Sequence, residues 1–445
     1  MRAPPHLAAC ALTAVLSTSA LGAALDVSTG YRLRALSFKN LKIVDPPQDK
    51  SFISQDARLG FAVRNIELTG GGGPEPVTMD VALALHGVGI AGSSGPLTAP
   101  FDRIASHYPN AEFLPFIESA YVRAHGLFGY PMDVTFGQQP FAVGSGLFLS
   151  DDGVGLAGVS AKGSLPWWDM KLEGYALQPR ASQQMAQNLT VYGASLEIPS
   201  EGTWQFHQLF ERDLRDQTVI GRQASRARRS FSGVRYQISF GPLVFDGEAA
   251  MQRGHAVPSG PVPFADRLTY KGDAQQMRAK WKQPLWGGRE GIGRLAVARG
   301  SGDNPTTASV DEAFFPSRGH RYDGLERAGF GEYFGATPYD AFGGPSTHTA
   351  TGLPPGASGI IAVGLGLTPP SYKGATLDID YWLFQADRNF GPHRTLGGEF
   401  DFRLRYGFRD RFAMSLSMAR FRAGHAISLS KANSRRYALE ISGRF

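Results

Sequence analysis

The chain ends with the residues Tyr437-Ala438-Leu439-Glu440-Ile441-Ser442-Gly443-Arg444-Phe445. Tyr437, Leu439, Ile441 and the terminal Phe445 occupy alternate positions of this stretch. Successive side chains of a β-strand point to opposite faces of the sheet, so a period of two residues indicates a strand with one apolar face. The stretch therefore predicts that the chain ends in a β-strand.

The same alternation recurs from end to end of the chain, in segments separated by Gly, Pro, Asp and Asn. It is clearest in residues 57–64, 233–240, 276–282 and 398–409. Further candidate strands lie near residues 31–40, 78–89, 115–125, 131–138, 154–163, 168–177, 188–198, 203–212, 243–252, 292–299, 360–367, 376–385 and 412–421. Repeated alternating segments with turn residues between them predict an all-β protein.

Alternation alone fits either a soluble β-sandwich or a membrane β-barrel, because both have one apolar and one polar strand face. Residues 1–24 decide between them together with the last strand. They hold Arg2, an apolar run and small residues up to Ala24, which is the pattern of a cleaved secretory signal peptide. The last strand resembles the closing strand that outer-membrane barrels present to their assembly machinery, so Tyr437, Leu439, Ile441 and Phe445 are the predicted assembly signal.

These observations predict a signal peptide over residues 1–24 and a single antiparallel transmembrane β-barrel over residues 25–445, in the bacterial outer membrane. Beyond the signal no stretch reaches the roughly 18 apolar residues of a membrane helix, and a closed barrel is the other structure that can span a membrane. We predict about 18 strands, with 16 as the alternative, because bacterial single-chain barrels have an even number. Short periplasmic turns and long extracellular loops should join them.

Charge and cysteine content limit the function. The chain has 45 basic and 39 acidic residues, a modest excess that favours an anion-attracting surface or lumen over nucleic-acid binding. Its single cysteine, Cys10, lies within the predicted signal peptide, so no disulfide or thiolate metal site is expected in the mature chain. The lone histidines His86, His125 and His207 are expected to be solvated lumen residues, so we predict no catalytic residue, no metal and no cofactor.

Strand alternation also predicts which charged residues face the lumen. A barrel of this size is too wide for its side chains to fill, so a water-filled interior is expected. The predicted pore-lining residues, each of which alternates with apolar neighbours, are Arg58, Arg64, Arg123, Arg235, Arg278, Lys280, Lys282, Arg294, Glu399, Asp401, Arg403 and Arg405.

Long connections are predicted at residues 89–110, 213–230, 252–273 and 300–358. The last is long enough to fold back into the lumen. The second is expected to be a solvated loop or a contact with lipopolysaccharide phosphates, with a place at the pore constriction as the alternative. Its arginines are Arg215, Arg222, Arg226, Arg228 and Arg229.

Residues 119–123 and 132–141, followed by Gly144 and Gly146, resemble the alginate-export family of outer-membrane porins. The resemblance implies a barrel that passes an anionic polysaccharide, with periplasmic components of an export system as partners. The family tends to carry an arginine in the turn where this chain has Gln138, so that basic position is not transferred.

Three functions stay open at this level. The first is a passage for an anionic exopolysaccharide. The second is a general small-solute diffusion porin, which would be marked by the 300–358 loop folding inward. The third is a lipid-modifying barrel enzyme, which would need a Ser and a His close together at a membrane-facing opening. Outer-membrane lipid, lipopolysaccharide and the barrel assembly machinery are the expected partners in each case, and nucleic acid is not.

Overall fold

We describe the protein from a computed structural model. It describes residues 23–41, 48–68, 77–92, 113, 115–151, 153–165, 169–179, 189–214, 224–259, 266–285, 288–304, 306–317, 330–334, 359–390, 393–408, 411–426 and 433–445. The predicted signal peptide lies almost wholly outside these residues and stays a prediction. None of the described residues belongs to a helix long and apolar enough to cross a membrane.

Within the described part of the chain, eighteen strands form one antiparallel barrel. The first nine are β1 (Ala24–Leu41), β2 (Gln48–Leu68), β3 (Val77–Ala91), β4 (Phe116–His125), β5 (Met132–Gln139), β6 (Leu156–Leu165), β7 (Met170–Gln178), β8 (Leu189–Pro199) and β9 (Thr203–Asp213). The others are β10 (Ala224–Phe240), β11 (Leu243–Pro258), β12 (Leu268–Pro284), β13 (Glu290–Gly300), β14 (Ile360–Thr368), β15 (Ala375–Phe390), β16 (His393–Phe408), β17 (Phe412–Ala423) and β18 (Asn433–Arg444).

Each strand pairs with the next along the chain, and β18 pairs with β1 from Lys39↔Arg435 to Gly30↔Arg444, which closes the ring. The fold prediction is confirmed, and each predicted strand segment falls in a different strand of the barrel. Closure satisfies the backbone groups of every strand edge, which a membrane requires. Besides the eighteen strands of the ring, the described residues form a 3₁₀ turn (Leu127–Gly129) and three short strands at Ala142–Val143, Leu149–Ser150 and Val310–Asp311.

The two ends of the barrel differ. At the end that holds the chain termini the connections are short, as where Gly241 and Pro242 join β10 to β11. At the other end most connections are longer, and the longest separates β13 from β14. Short turns face the periplasm and long loops face outward in bacterial outer-membrane barrels, so the long-loop end is the extracellular one.

Two of the predicted loops are shorter than expected, at 213–230 and 252–273. β10 already begins at Ala224, and β11 continues to Pro258. The hydrogen-bonded pairing of β10 with β11 continues through polar residues, because its hydrogen bonds are made by the backbone. The arginine-rich start of β10 therefore belongs to the wall, whereas Arg215 and Arg222 lie outside the described residues.

The outer and inner faces follow the alternation in the sequence. On β16 the exposed apolar side chains are those of Phe400, Phe402, Leu404, Tyr406 and Phe408, whereas Glu399 and Asp401 on the other face are buried. Exposed apolar side chains on the outer face are those that contact lipid. Buried polar side chains on the inner face indicate that another part of the chain lies over them inside the barrel.

Candidate functional site

Loop segments lie inside the barrel and cover parts of its inner wall, among them residues 313–315, whose Phe314 contacts Phe231. Two other segments are held by carboxylates of the wall. The first inward loop is residues 140–151, between β5 and β6. Its Phe141, Leu147, Phe148 and Leu149 are buried. The Phe148 ring stacks on Phe231 of β10 with 6.1 Å between the ring centres. The sequence did not indicate this loop, because it reads as an ordinary glycine-rich turn.

A buried carboxylate on the wall holds the tip of the first inward loop. The carboxylate of Glu248 on β11 accepts a hydrogen bond from the Ser145 backbone N–H at 3.1 Å and a second, short one from the Ser145 hydroxyl. Gly144 adopts a left-handed conformation with φ +62°, and a Cβ atom there would overlap the Glu248 carboxylate. The close approach of loop and carboxylate therefore requires glycine.

The second inward segment is residues 330–334, which belong to the long connection between β13 and β14. Phe334 stacks on Phe384 of β15 with 4.2 Å between ring centres, and Tyr333 stacks on Phe421 of β17 at 5.2 Å. These side chains complete an aromatic cluster with the inner faces of strands on both sides of the barrel closure. The prediction that the 300–358 connection could fold into the lumen agrees with the position of this segment.

Carboxylates again hold the backbone of the second inward segment. Glu399 of β16 accepts hydrogen bonds from the backbone N–H groups of Tyr333 and Phe334, the latter at 2.8 Å. Asp401 accepts the N–H of Glu332 at 2.8 Å. Gly331 has φ +79°, and a Cβ atom there would lie 2.6 Å from a Glu399 oxygen. Both inward segments thus place a left-handed glycine against a wall carboxylate.

Glu399 and Asp401 were predicted to line the pore, and the structure places them on the inner wall but beneath the second inward segment. Glu399 is 0% exposed and Asp401 is 4% exposed. Their carboxylate oxygens accept hydrogen bonds from the loop backbone, and the loop separates them from the open lumen. Their predicted role needs this correction: they hold a loop that narrows the pore.

An arginine-rich cavity of about 430 Å³ lies beside the second inward segment. Five of its lining residues are arginines, and Glu332 and Glu440 are among the others. The arginines, from β1, β16 and β18, are Arg32, Arg34, Arg403, Arg405 and Arg436.

Arg403 and Arg405 of this cavity were predicted, whereas Arg32, Arg34 and Arg436 were missed. The alternation of β1 and β18 puts all three on the face opposite the apolar one, which is a signal that the sequence does contain. Arg436 donates to the Glu332 carboxylate at 2.6 Å, and Arg403 forms a short ion pair with the same group. The second inward segment is therefore held on the cationic wall.

Several other predicted lumen arginines lie on the inner wall with their charge compensated. Arg294 of β13 binds Asp378 and Asp380 at 2.9 Å each, and Asp378 also binds Arg405 at 2.6 Å. The remaining compensated or hydrogen-bonded pairs are Arg235 with Asp246, Arg64 with Asp26, Arg58 with Asp56 and Glu118, and Arg123 with the Thr135 hydroxyl. Whether these arginines line the permeation path stays a prediction.

A different arrangement is found on β12, where Arg278, Lys280 and Lys282 follow one another on the inner face toward the periplasmic end. Lys280 pairs in register with the inward-facing Arg294. Arg278 contacts the ring of Phe330 at 5.3 Å from its centre. Among the described residues no carboxylate forms an ion pair with any of the three, so this stretch presents uncompensated positive charge.

The three histidines lie on the inner wall. His86 lies between Asp56 (3.2 Å) and Glu118 (3.3 Å), and His125 lies between Asp133 and Asp80. They are held by carboxylates and not merely solvated, which the sequence could not indicate. His207 Nδ1 is 3.0 Å from the Ser195 hydroxyl.

The pair of Ser195 and His207 is the kind of pair that the enzyme hypothesis needs, but its position does not fit. The His207 ring packs against Phe148 of the first inward loop, 5.9 Å between centres, so the pair faces the covered interior and not a membrane-facing opening. In the described ranges no group of three or more His, Cys, Asp or Glu could hold a metal ion.

The sequence model described as "Alginate export" matches residues 110–339. The chain belongs to the alginate-export family. The matched range contains both inward segments of this family member. No curated protein sequence matches the chain.

Solved structures show the same fold at low sequence identity. Acinetobacter baumannii OccAB4 has a TM-score of 0.57 at 10% identity, covering 94% of this family member and 98% of OccAB4. Pseudomonas aeruginosa OccK9 (OpdG) has a TM-score of 0.56 at 13% identity, covering 95% and 98%. Pseudomonas aeruginosa OpdK, solved with vanillate, has a TM-score of 0.52 at 12% identity, covering 94% and 98%. Family and fold together make this protein a channel of the bacterial outer membrane.

Proposed function

We propose that this channel passes anionic, carboxylate-bearing solutes, and that its cargo is an anionic exopolysaccharide. The arginine cavity beside the second inward segment is the observation that carries the proposal. A guanidinium group is always charged and matches a carboxylate with two parallel hydrogen bonds. Arg403 and Arg405 remain 41% and 52% exposed although each contacts an acid, so neither side chain is closed off from the cavity.

The cations of β12 support the same direction of selectivity. Lys280 and Lys282 lie toward the periplasmic end without an acidic partner among the described residues. Positive charge along a narrow aqueous passage raises the local concentration of anions and disfavours cations. A uronate chain entering from the periplasm would meet these lysines and also the arginine cavity, which is lined by Gly374, Gly407 and Ala413 near the periplasmic turns.

One observation favours a second candidate, a diffusion porin for small anionic solutes. Both inward segments narrow the lumen, and each is held by buried hydrogen bonds to Glu248 or Glu399. A small solute can pass a lumen narrowed in this way. A polymer has to thread past both segments as an extended chain.

Planar-bilayer recordings of the refolded protein would test the proposal. The reversal potential in a salt gradient gives the ion selectivity, and block by polyuronate, by a monomeric uronate and by a neutral oligosaccharide gives the solute class. We expect anion selectivity that falls in the R403Q/R405Q variant. The matched control R289Q/R411Q removes the same charge from exposed turns at the periplasmic end and should behave as the wild type.

The outcomes separate the candidates. Block by polyuronate at concentrations where the monomer has no effect supports the polysaccharide channel, because a polymer engages several cations at once. Equal block per uronate unit supports the small-solute porin. Cation selectivity in the wild-type channel would refute both.

A further inference from the structure

The outer face carries a second, separate set of cations, at the extracellular end of the strands around the barrel closure. Lys39 of β1 pairs in register with Arg435 of β18, and Arg435 pairs with Arg420 of β17. Directly paired residues share a face, and the exposed apolar side chains of Tyr437 and Met418, two residues away, mark that face as the outer one. We refer to Lys39, Arg435 and Arg420 as the first cationic row.

Like charges directly opposite each other on neighbouring strands repel and destabilise a sheet. Only Lys39 of this row has an acidic neighbour, Asp49 at 2.9 Å. Among the described residues no carboxylate pairs with Arg420 or Arg435. The same holds for Arg422, two residues after Arg420 on the same face of β17. A row of exposed arginines without counter-charge is best explained by an anion that the protein meets in its membrane.

The surface next to the first cationic row is shaped for a ligand with an apolar part. A cavity of about 720 Å³ lies between β15 and β17 and is lined by Tyr381, Leu383, Phe400, Arg420 and Arg422. Gly398 forms its floor, since Gly398 pairs with Arg422 and lacks a side chain that would fill the space. Charged residues at the extracellular side and apolar ones toward the membrane centre match an anionic lipid in the outer leaflet.

The same arrangement occurs on nearly the opposite side of the ring. Arg212 of β9 pairs with Arg228 of β10, which pairs with His255 of β11. We refer to these three as the second cationic row. Phe210 and Tyr192, stacked at 5.5 Å, lie beside it toward the membrane centre and line the same outer groove of about 510 Å³.

We propose that the two cationic rows bind the phosphates of lipopolysaccharide, with acyl chains lying along the adjoining apolar grooves. Several guanidinium groups at one level of the barrel supply the charge-assisted donors that phosphate accepts. Both rows lie immediately beyond the apolar outer band on the long-loop side, where the outer-leaflet headgroups are. The site is independent of what the lumen passes. Of the arginines that the sequence predicted in the 213–230 loop, Arg228 belongs to the second cationic row, whereas Arg229 faces inward and is paired with Glu211.

Native mass spectrometry of the refolded full-length protein with rough-type lipopolysaccharide would test this. The variants are R420Q/R435Q, R212Q/R228Q and their combination. The matched control, R289Q/R411Q, removes two exposed arginines at the periplasmic end. Retained channel conductance shows that each variant has folded. We expect the affinity to fall roughly 5- to 30-fold for each row variant, and phosphate-dependent binding to disappear in the combination.

Binding of dephosphorylated lipopolysaccharide, and competition by inorganic phosphate or polyuronate, show whether the bound anion is the lipid phosphate. Dephosphorylated lipopolysaccharide should bind the wild type as weakly as the intact lipid binds the combined variant. Inorganic phosphate should not compete, because it lacks the acyl chains. The proposal is overturned if the combined variant binds the intact lipid like the wild type. It is equally overturned if R289Q/R411Q loses as much affinity, or if soluble polyuronate displaces the lipid.

Discussion

Substitution of Glu399 by glutamine should loosen the second inward segment and widen the channel intermittently. The Glu399 carboxylate accepts two backbone N–H groups, from Tyr333 and Phe334, in a site with no exposure to water. A glutamine side chain keeps one oxygen but places an NH₂ group opposite the other N–H. Net hydrogen-bond contributions involving a charged group are about 1.5–3 kcal/mol each, so the segment should lose about 2–3 kcal/mol of docking free energy.

That loss multiplies the undocked population by roughly 30- to 160-fold. The segment should nevertheless stay docked most of the time. Burial of an aromatic side chain contributes about 1.5–3 kcal/mol, and Tyr333 and Phe334 remain packed against Phe384 and Phe421. The expected result in single-channel recordings is therefore the wild-type conductance interrupted by frequent openings to a larger level.

Glu440→Gln is the matched control for this prediction. Glu440 is also an inner-wall carboxylate and pairs with Arg34 at 3.2 Å, but it holds neither inward segment. The control should give a conductance without the larger openings. If Glu399→Gln and Glu440→Gln give the same traces as the wild type, the argument that Glu399 holds a pore-narrowing segment is wrong.

Two further predictions concern the first inward loop and the chain terminus. Gly144→Ala should raise amide hydrogen exchange across residues 140–151, because the added Cβ overlaps the Glu248 carboxylate. Gly92→Ala is its control, since Gly92 has the same left-handed backbone with open space around it, and equal exchange in the two variants would contradict the close-approach argument. Deletion of Phe445 should lower the folded, heat-modifiable fraction in the outer membrane, because it removes two backbone hydrogen bonds to Thr29. Phe445→Tyr should assemble normally, and a deletion that assembles equally well would count against the assembly signal.

The strand pattern was predictable because it is local. Whether a residue such as Phe402 or Arg403 faces outward or inward follows from its parity within one strand, and the barrel confirms that parity on β16. The same reasoning placed the start of β10 in a loop, because Arg228 and Arg229 look unsuited to a wall. Arg229 is accommodated there by Glu211, a partner on the neighbouring strand that periodicity cannot identify.

The inward loops were not predictable to the same extent. The first is held by a contact between Ser145 and Glu248, which are 103 residues apart in the chain. The second depends on Glu399, more than sixty residues away from Tyr333. A glycine in the sequence indicates conformational freedom, but not the carboxylate against which that freedom is used.

The sequence by itself determined that this chain is an outer-membrane barrel with alternating faces, because side-chain parity and the terminal strand are properties of short segments. Only the tertiary structure decided which inner residues meet. Closure of the ring brings Arg32 and Arg34 of the first strand beside Arg403 and Arg436 near the end of the chain. The folded loops turn Glu399 from a lumen residue into a buried anchor. Both outcomes arise from contacts between residues far apart in the chain, which no local pattern encodes.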